Sequence, residues 1–286
     1  MQSTQFNLTE VISALQKRWK TITFFVFVVM VITATTLFFV PRYYGSKTIV
    51  VPANPELADK SRLFNGNIQH LYSFYGNGDD LEILYGITQL DTVYRALVDE
   101  FKLVDYFEIK SGMPARQREN AIKKLMSDVS ISKTELNQLK VIVYSRDNNL
   151  AADIANRLVS LAGQIEQEAW KQSNKNSAEK LESSASAMEK QAIAINDSLT
   201  VAGPSIQLLI NRKQSLMEQV QQNQKKANEF RLALADTPQA FFVVEKAVPS
   251  ASPDKPNVAL VLISAFLLSL VFAGITVLVY DRKATV

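Results

Sequence analysis

The chain contains no cysteine. A disulfide framework and a cysteine-based metal site are therefore excluded. Histidine is nearly as scarce. His70 is the only one, so no histidine-based metal cluster can form within one chain. Set in "NIQHLYSFYG", it reads as a structural or surface residue. Charge of one sign is not in large excess either. Lys and Arg total 31 against 28 for Asp and Glu, giving a net charge of +3 and a pI near 8.9. That is too mild a bias to argue for nucleic acid. A phosphate-binding loop is also missing. "YGNGDD" (75–80) has glycines and carboxylates, but no Gly-Lys-Ser/Thr follows and aspartate repels phosphate. A turn and helix cap is the better reading, with Asp79 or Asp80 as the cap. Glu166 and Glu168 read as a solvated helix face. No catalytic constellation, cofactor motif or metal cluster emerges, so no enzyme is expected.

What the chain does have is segregated hydrophobicity. Thr21 to Val40 and Val258 to Tyr280 carry no charged residue. Each is long enough to cross a hydrocarbon core of roughly 30 Å as a helix, the form that satisfies its own backbone in lipid. The first run exceeds a signal-peptide core, and "PRYYGS" follows it rather than a small-residue cleavage site, so it reads as an uncleaved anchor. Lys17, Arg18 and Lys20 precede the first run, and Arg282 and Lys283 follow the second. Arg42, Lys47 and Lys255 lie on the opposite side. This modest bias predicts both ends in the cytoplasm and the middle outside, in a periplasm if two membranes are present.

The expected organisation is a cytoplasmic segment (1–20), a first transmembrane helix (21–40), an outer α+β domain (41–256), a second transmembrane helix (257–280) and a short tail (281–286). In the lead, Leu8, Val11, Ile12 and Leu15 have helical spacing, with Trp19 at the membrane interface. Tyr43 and Tyr44 read as interface anchors. "SKTIVV" reads as a strand ended by Pro52 and Pro55. A helical period runs from Leu81 to Phe101, and a second helix starts at Pro114. "VSISKTELNQLKVIVYS" reads as a hairpin turning at "TELNQ". A final strand is expected over 241–246.

Between these lies a helical hairpin, about 147–235. Asp147 caps its first helix, and Leu150, Ile154, Leu158, Leu161 and Ile165 form an apolar stripe. A polar stretch, "QEAWKQSNKNSAEK", follows. Leu181, Ala185, Met188, Ala192, Ile195 and Leu199 then step alternately by four and three, a coiled-coil seam. Gly203-Pro204 turns the chain, and Ile206, Ile210, Leu216, Met217 and Val220 return. Hairpin packing is thus expected at Leu181, Met188, Ile195, Leu199, Ile206 and Ile210. A helix with a polar middle gains little by burying its own surface, which points to lateral packing in a homo-oligomer. Ala265, Ser269 and Ala273, with Gly274 adjacent, form a small-residue stripe suited to close helix packing in lipid.

Three stretches then coincide in order: "PRYYGSKTIVVP", "SRDNNLAADIANRLVSLA" and "VPSASPDKPNVALVLI". Together they resemble the chain-length determinant, or Wzz-type, polysaccharide co-polymerases over nearly the whole chain. Where that family often has Ser-Pro-Lys, this chain reads Ser252-Pro253-Asp254-Lys255. A related branch carries a kinase after the second span; none is expected in 281–286. The resemblance implies an α+β fold, with two transmembrane helices flanking a periplasmic base domain and a projecting helical hairpin. It implies an inner-membrane oligomer that sets the length of a lipid-linked surface polysaccharide beside a membrane polymerase, with no cofactor. Pro249, Ser252, Pro253, Lys255 and Pro256 would form a stiff linker ahead of the second span. The alternative is a non-enzymatic adaptor of an envelope export complex.

Overall fold

The computed structural model describes residues 16–53, 75–110, 112–199, 206–235 and 239–284. The expected amphipathic lead, His70 and the Gly203-Pro204 turn lie outside them. The elements are α1 (Trp19–Phe39), β1 (Tyr44–Pro52), α2 (Gly78–Thr88), α3 (Asp91–Glu100), α4 (Leu103–Tyr106), α5 (Pro114–Asp128), β2 (Val129–Lys133), β3 (Leu139–Ser145), α6 (Asn148–Leu199), α7 (Ile206–Ala235), β4 (Phe241–Glu245) and α8 (Val258–Ala284). The chain forms two compact units. One comprises Met1–Gly45, Tyr144–Ala151 and Pro249–Val286; the other comprises Ser46–Val143 and Ala152–Val248.

The strands form one four-stranded sheet in the order β2-β3-β1-β4. Val129 pairs with Val143 and Lys133 with Leu139, so β2 and β3 make the expected hairpin around 134–138. β1 pairs antiparallel with β4, from Pro52 opposite Phe241 to Ile49 opposite Glu245. Leu139, Val141 and Val143 alternate into the core, where Leu84, Leu97, Leu125, Ile154 and Leu158 are also fully buried or nearly so. Period-two and period-3.6 faces thus meet in one layer of apolar side chains.

Local chemistry sets the element ends. Asn77, not Asp79 or Asp80, caps α2. Its Oδ1 accepts from the Asp79 and Asp80 amides at 2.8 and 3.1 Å, and Asp80 Oδ2 accepts from the Asn77 amide at 2.8 Å. This reciprocal box satisfies amides on both sides of the helix start. The helical period over 81–101 is two helices rather than one. Leu90 is extended (ψ 134°), and a new helix starts at Asp91. The apolar spacing persists across the break because both helices face the same core. Asp147 caps α6, with its Oδ1 accepting from Asn149 and Leu150.

Two features of α6 depart from a simple amphipathic reading. Gly163 is packed directly against Phe241 of β4. A β-carbon built at Gly163 would stand 2.4 Å from Phe241 Cε1. Glu166, expected on a solvated face, is half-buried, and its Oε2 is buried with no hydrogen-bond partner. Burial, followed by the negative charge of Asp80, pushes its carboxyl up to about 7.

Gly163→Ala should therefore lower stability by roughly 1–3 kcal/mol, the usual cost of forced overpacking. Thermal unfolding in detergent should show the drop, and an unchanged midpoint would contradict the packing. Glu166 gives a pH signature. With its folded pKa raised above the unfolded value, the native state holds the extra proton between about pH 4.5 and 7. Stability falls as pH rises through that window, and the penalty is complete above it. Glu166→Gln should stabilise the protein at pH 8, by about 1–2 kcal/mol after solvent screening, and much less at pH 4.5. Equal shifts at both pH values would refute the burial argument.

Candidate functional site

The proline-rich segment is tied down by hydrogen bonds, not held out by stiffness alone. The Tyr43 amide donates to the Lys255 carbonyl at 2.9 Å. The Tyr43 carbonyl accepts from Asp254 at 2.9 Å and from Lys255 at 3.2 Å. The Gly45 amide donates to Asp254 Oδ2 at 3.0 Å. Asn148 Nδ2 donates to the Ser250 carbonyl at 3.1 Å, and Ser250 Oγ to the Ser252 carbonyl at 2.8 Å. The Lys255–Pro256 peptide is cis. Asn257 then caps α8 by accepting from the Leu260 amide at 3.2 Å. The segment leaving α1 is thereby clasped to the segment entering α8.

Side chains reinforce the clasp. Lys255 Nζ lies 3.5 Å from the centroid of the Tyr144 ring, and Arg146 Cζ lies 5.9 Å from that of Tyr43. Each such contact is worth about 0.5–1 kcal/mol at an exposed position. Tyr43 and Tyr44 were expected to be simple interface anchors; Tyr43 is instead a member of the clasp. Gly45 makes the closure possible. A β-carbon there would stand 2.3 Å from Asp254 Oδ2 and 2.9 Å from Tyr144 Cε1. Pro249 and Pro253 limit the backbone of the same segment but donate no bond.

α1 and α8 pack against each other. Both are long and apolar enough to cross a membrane. Because the clasp joins their near ends, they run antiparallel. On α8 the buried residues are Ser269 (3% exposed), Ala273 (3%) and Val277 (5%), with Ala265 and Gly274 half-buried. On α1 the half-buried stripe is Ile22, Val26, Val29, Thr33 and Leu37. The small-residue stripe expected to bring helices together therefore faces α1 of the same chain. Hydroxyls on the packed faces bond to carbonyls of their own helix. Thr33 donates to the Val29 carbonyl at 2.9 Å and Ser269 to that of Phe266 at 2.8 Å, which makes them tolerable in lipid.

In the hairpin, buried Ala178, Ala185 and Ala192 recur every seventh residue of α6. Leu181, Met188 and Ile195 are half-buried beside them, while the Leu199 side chain lies outside the described ones. The facing stripe of α7 holds Leu209, Leu216, Val220, Asn223, Ala227 and Phe230. Ile206 and Ile210, expected to pack, are instead 42% and 41% exposed. Ile210 falls one residue past the α7 seam position Leu209, whereas Ile206 keeps the heptad phase of Val220 and Ala227 but is the first residue of the helix. Arg231 Nε pairs with Glu182 Oε1 at 2.7 Å, and Asn223 Nδ2 reaches Ser184 Oγ at 3.3 Å, fixing an antiparallel register. The polar middle is thus partly an alanine seam within one chain, because alanine allows close helix approach without an obvious apolar signature.

A groove of about 550 Å³ runs between α6 and β4, lined among others by Ser160, Gln164, Gln167, Gln239, Phe241 and Lys246. Amides and hydroxyls beside an aromatic ring suit hydroxyl-rich ligands, and Lys246 is the only charged residue among its described lining. Among the described residues no group of three or more metal-ligating side chains converges.

Residues 4–85 match the family model of Wzz, chain length determinant protein. Among solved structures the chain is similar to a full-length bacterial polysaccharide co-polymerase, at 15% identity, over 98% of this chain and 99% of that one, with a TM-score of 0.48. A fragment of WzzB, polysaccharide co-polymerase from Salmonella Typhimurium, is 12% identical over 75% of this chain and all of its own, with a TM-score of 0.43. A mutant of the Shigella flexneri lipopolysaccharide O-antigen chain-length regulator WzzBSF is 13% identical over 74% of this chain and 100% of that one, with a TM-score of 0.35. No curated protein matches the sequence.

The intramolecular helix pair makes a definite prediction. Ser269→Leu adds bulk where α8 meets α1 and should cost roughly 1–3 kcal/mol. Membrane insertion should be intact, since leucine is at least as apolar. Leu267→Ile, at a position 57% exposed, should be mild. Detergent-solubilised protein should show a lowered unfolding midpoint for the first variant alone; equal midpoints would separate the stripe from helix packing.

Proposed function

We propose that this chain regulates the length of a lipid-linked surface polysaccharide, as a non-enzymatic inner-membrane scaffold beside a membrane polymerase. The observation that carries the reading is the match of residues 4–85 to the chain length determinant family. It spans α1, β1 and the start of α2, and so includes Tyr43 and Gly45 of the clasp. In this reading α1 and α8 cross the inner membrane, both chain ends are cytoplasmic, and residues 41–256 form the periplasmic domain. The Lys/Arg excess before α1 and after Tyr280 supports that orientation.

Homo-oligomerisation belongs to the same proposal. Ile193, Leu208 and Met217 are exposed on the hairpin, at 57%, 71% and 41%. Apolar side chains in water favour a covered surface, and neighbouring copies would supply it. The groove between α6 and β4 would then face glycan hydroxyls with amides rather than charges. No step of bond making or breaking is assigned to this chain; the polymerase performs the transfer.

The test is deletion of the coding sequence, followed by gel analysis of surface polysaccharide. The banded size distribution should collapse to an uncontrolled one and return with the wild-type copy. An unchanged distribution, with the protein instead co-purifying with an export channel, would overturn the proposal in favour of an adaptor role.

A further inference from the structure

The clasp leaves cations at the membrane boundary that its own packing does not neutralise. Arg42 lies just beyond the end of α1, and Lys255 just before the start of α8. Both are exposed. Neither forms an ion pair with any described carboxylate. Asp254 and Asp147, the nearby acids in the same unit, have oxygens engaged by backbone amides: Asp254 by Gly45, Asp147 by Asn149 and Leu150. The Tyr144 ring covers one side of the Lys255 ammonium at 3.5 Å. An ammonium has three N–H donors, and a ring face beneath it leaves them for an acceptor above.

Placement makes this unusual. Cations flanking membrane helices are favoured on the cytoplasmic side, so cations kept at the clasped end run against that preference. Arg146 belongs to the same clasp, its guanidinium over the Tyr43 ring. Tyrosine rings with interleaved cations at the end of two apolar helices match the chemistry of a headgroup layer. There the rings sit at the interface, and the cations meet phosphate oxygens in a medium less polar than water.

We propose that Arg42 and Lys255, with Tyr144 as the platform beneath Lys255, bind the phosphate of a membrane-lipid headgroup at the clasped end of α1 and α8. The ligand is a phosphate carried on a lipid, not free phosphate, because the cations stand where the apolar helices end. The site would hold the clasp at headgroup depth. It rests on the membrane orientation proposed above but not on polysaccharide length control, and can fail or stand without the latter.

The experiment uses the full chain, purified in mild detergent, with bound phosphatidylglycerol counted by native mass spectrometry. Wild-type protein should retain phosphatidylglycerol but not diacylglycerol, which lacks the phosphate. Arg42→Gln combined with Lys255→Gln should lower retention about tenfold or more, in line with the attraction of two cations near an anionic surface. Lys255→Arg, which keeps the charge, should retain the lipid. Lys47→Gln removes a cation already paired with Glu245 at 3.1 Å and should change nothing. Equal retention of diacylglycerol, displacement by equimolar inorganic phosphate, or undiminished retention by the double variant would each overturn the assignment. Circular dichroism of each variant separates loss of binding from loss of fold.

Discussion

The exchange of backbone hydrogen bonds between Tyr43 and the Asp254–Lys255 pair is the constraint on which the two apolar helices depend. Each bond contributes a modest net stabilisation of about 1 kcal/mol. Their greater effect is geometric. Two segments separated by some two hundred positions in the chain are brought to one point, as the Gly45–Asp254 bond with a sequence separation of 209 shows. From that point α1 and α8 must run side by side in opposite directions. Asp254, the residue that separates Ser252-Pro253 from Lys255, provides the side-chain half of the connection.

Small residues recur wherever two elements must come close. Gly45 admits Asp254 and the Tyr144 ring, and Gly163 admits Phe241. Ser269 and Ala273 bring α8 onto α1, and Ala178, Ala185 and Ala192 bring α6 onto α7. In water such approaches are driven by apolar burial. Were α1 and α8 in lipid, as proposed, that drive would be absent there, and packing density with satisfied hydroxyls would serve.

Much of this was legible in the sequence because it rests on local periodicity. The two apolar runs, the 129–145 hairpin, Pro114 at a helix start and the Asp147 cap each announce themselves within a few residues. What was not legible depends on partners far along the chain. Nothing near Glu166 signals that its carboxyl is buried beside the charge of Asp80. Ile210 looks like a seam residue because it is apolar, yet the seam phase is set by Ala227 and Asn223, which are not conspicuous, and Ile206 keeps that phase but stands exposed at the helix start. The stripe at Ala265, Ser269 and Ala273 signals close packing, but not whether the partner helix belongs to the same chain.

The central claim is that the clasp folds α8 back onto α1 of its own chain. Counting equal steps along antiparallel helices from the Tyr43–Lys255 pair places Val29 opposite Ser269, and both lie on the packed faces. Since the chain has no cysteine, a pair introduced as Val29→Cys and Ser269→Cys would be the only thiols present. Mild oxidation in the membrane should then yield a disulfide within single chains, seen as a shifted band at monomer mass on a denaturing gel. Crosslinking only between chains, at dimer mass, would contradict the account.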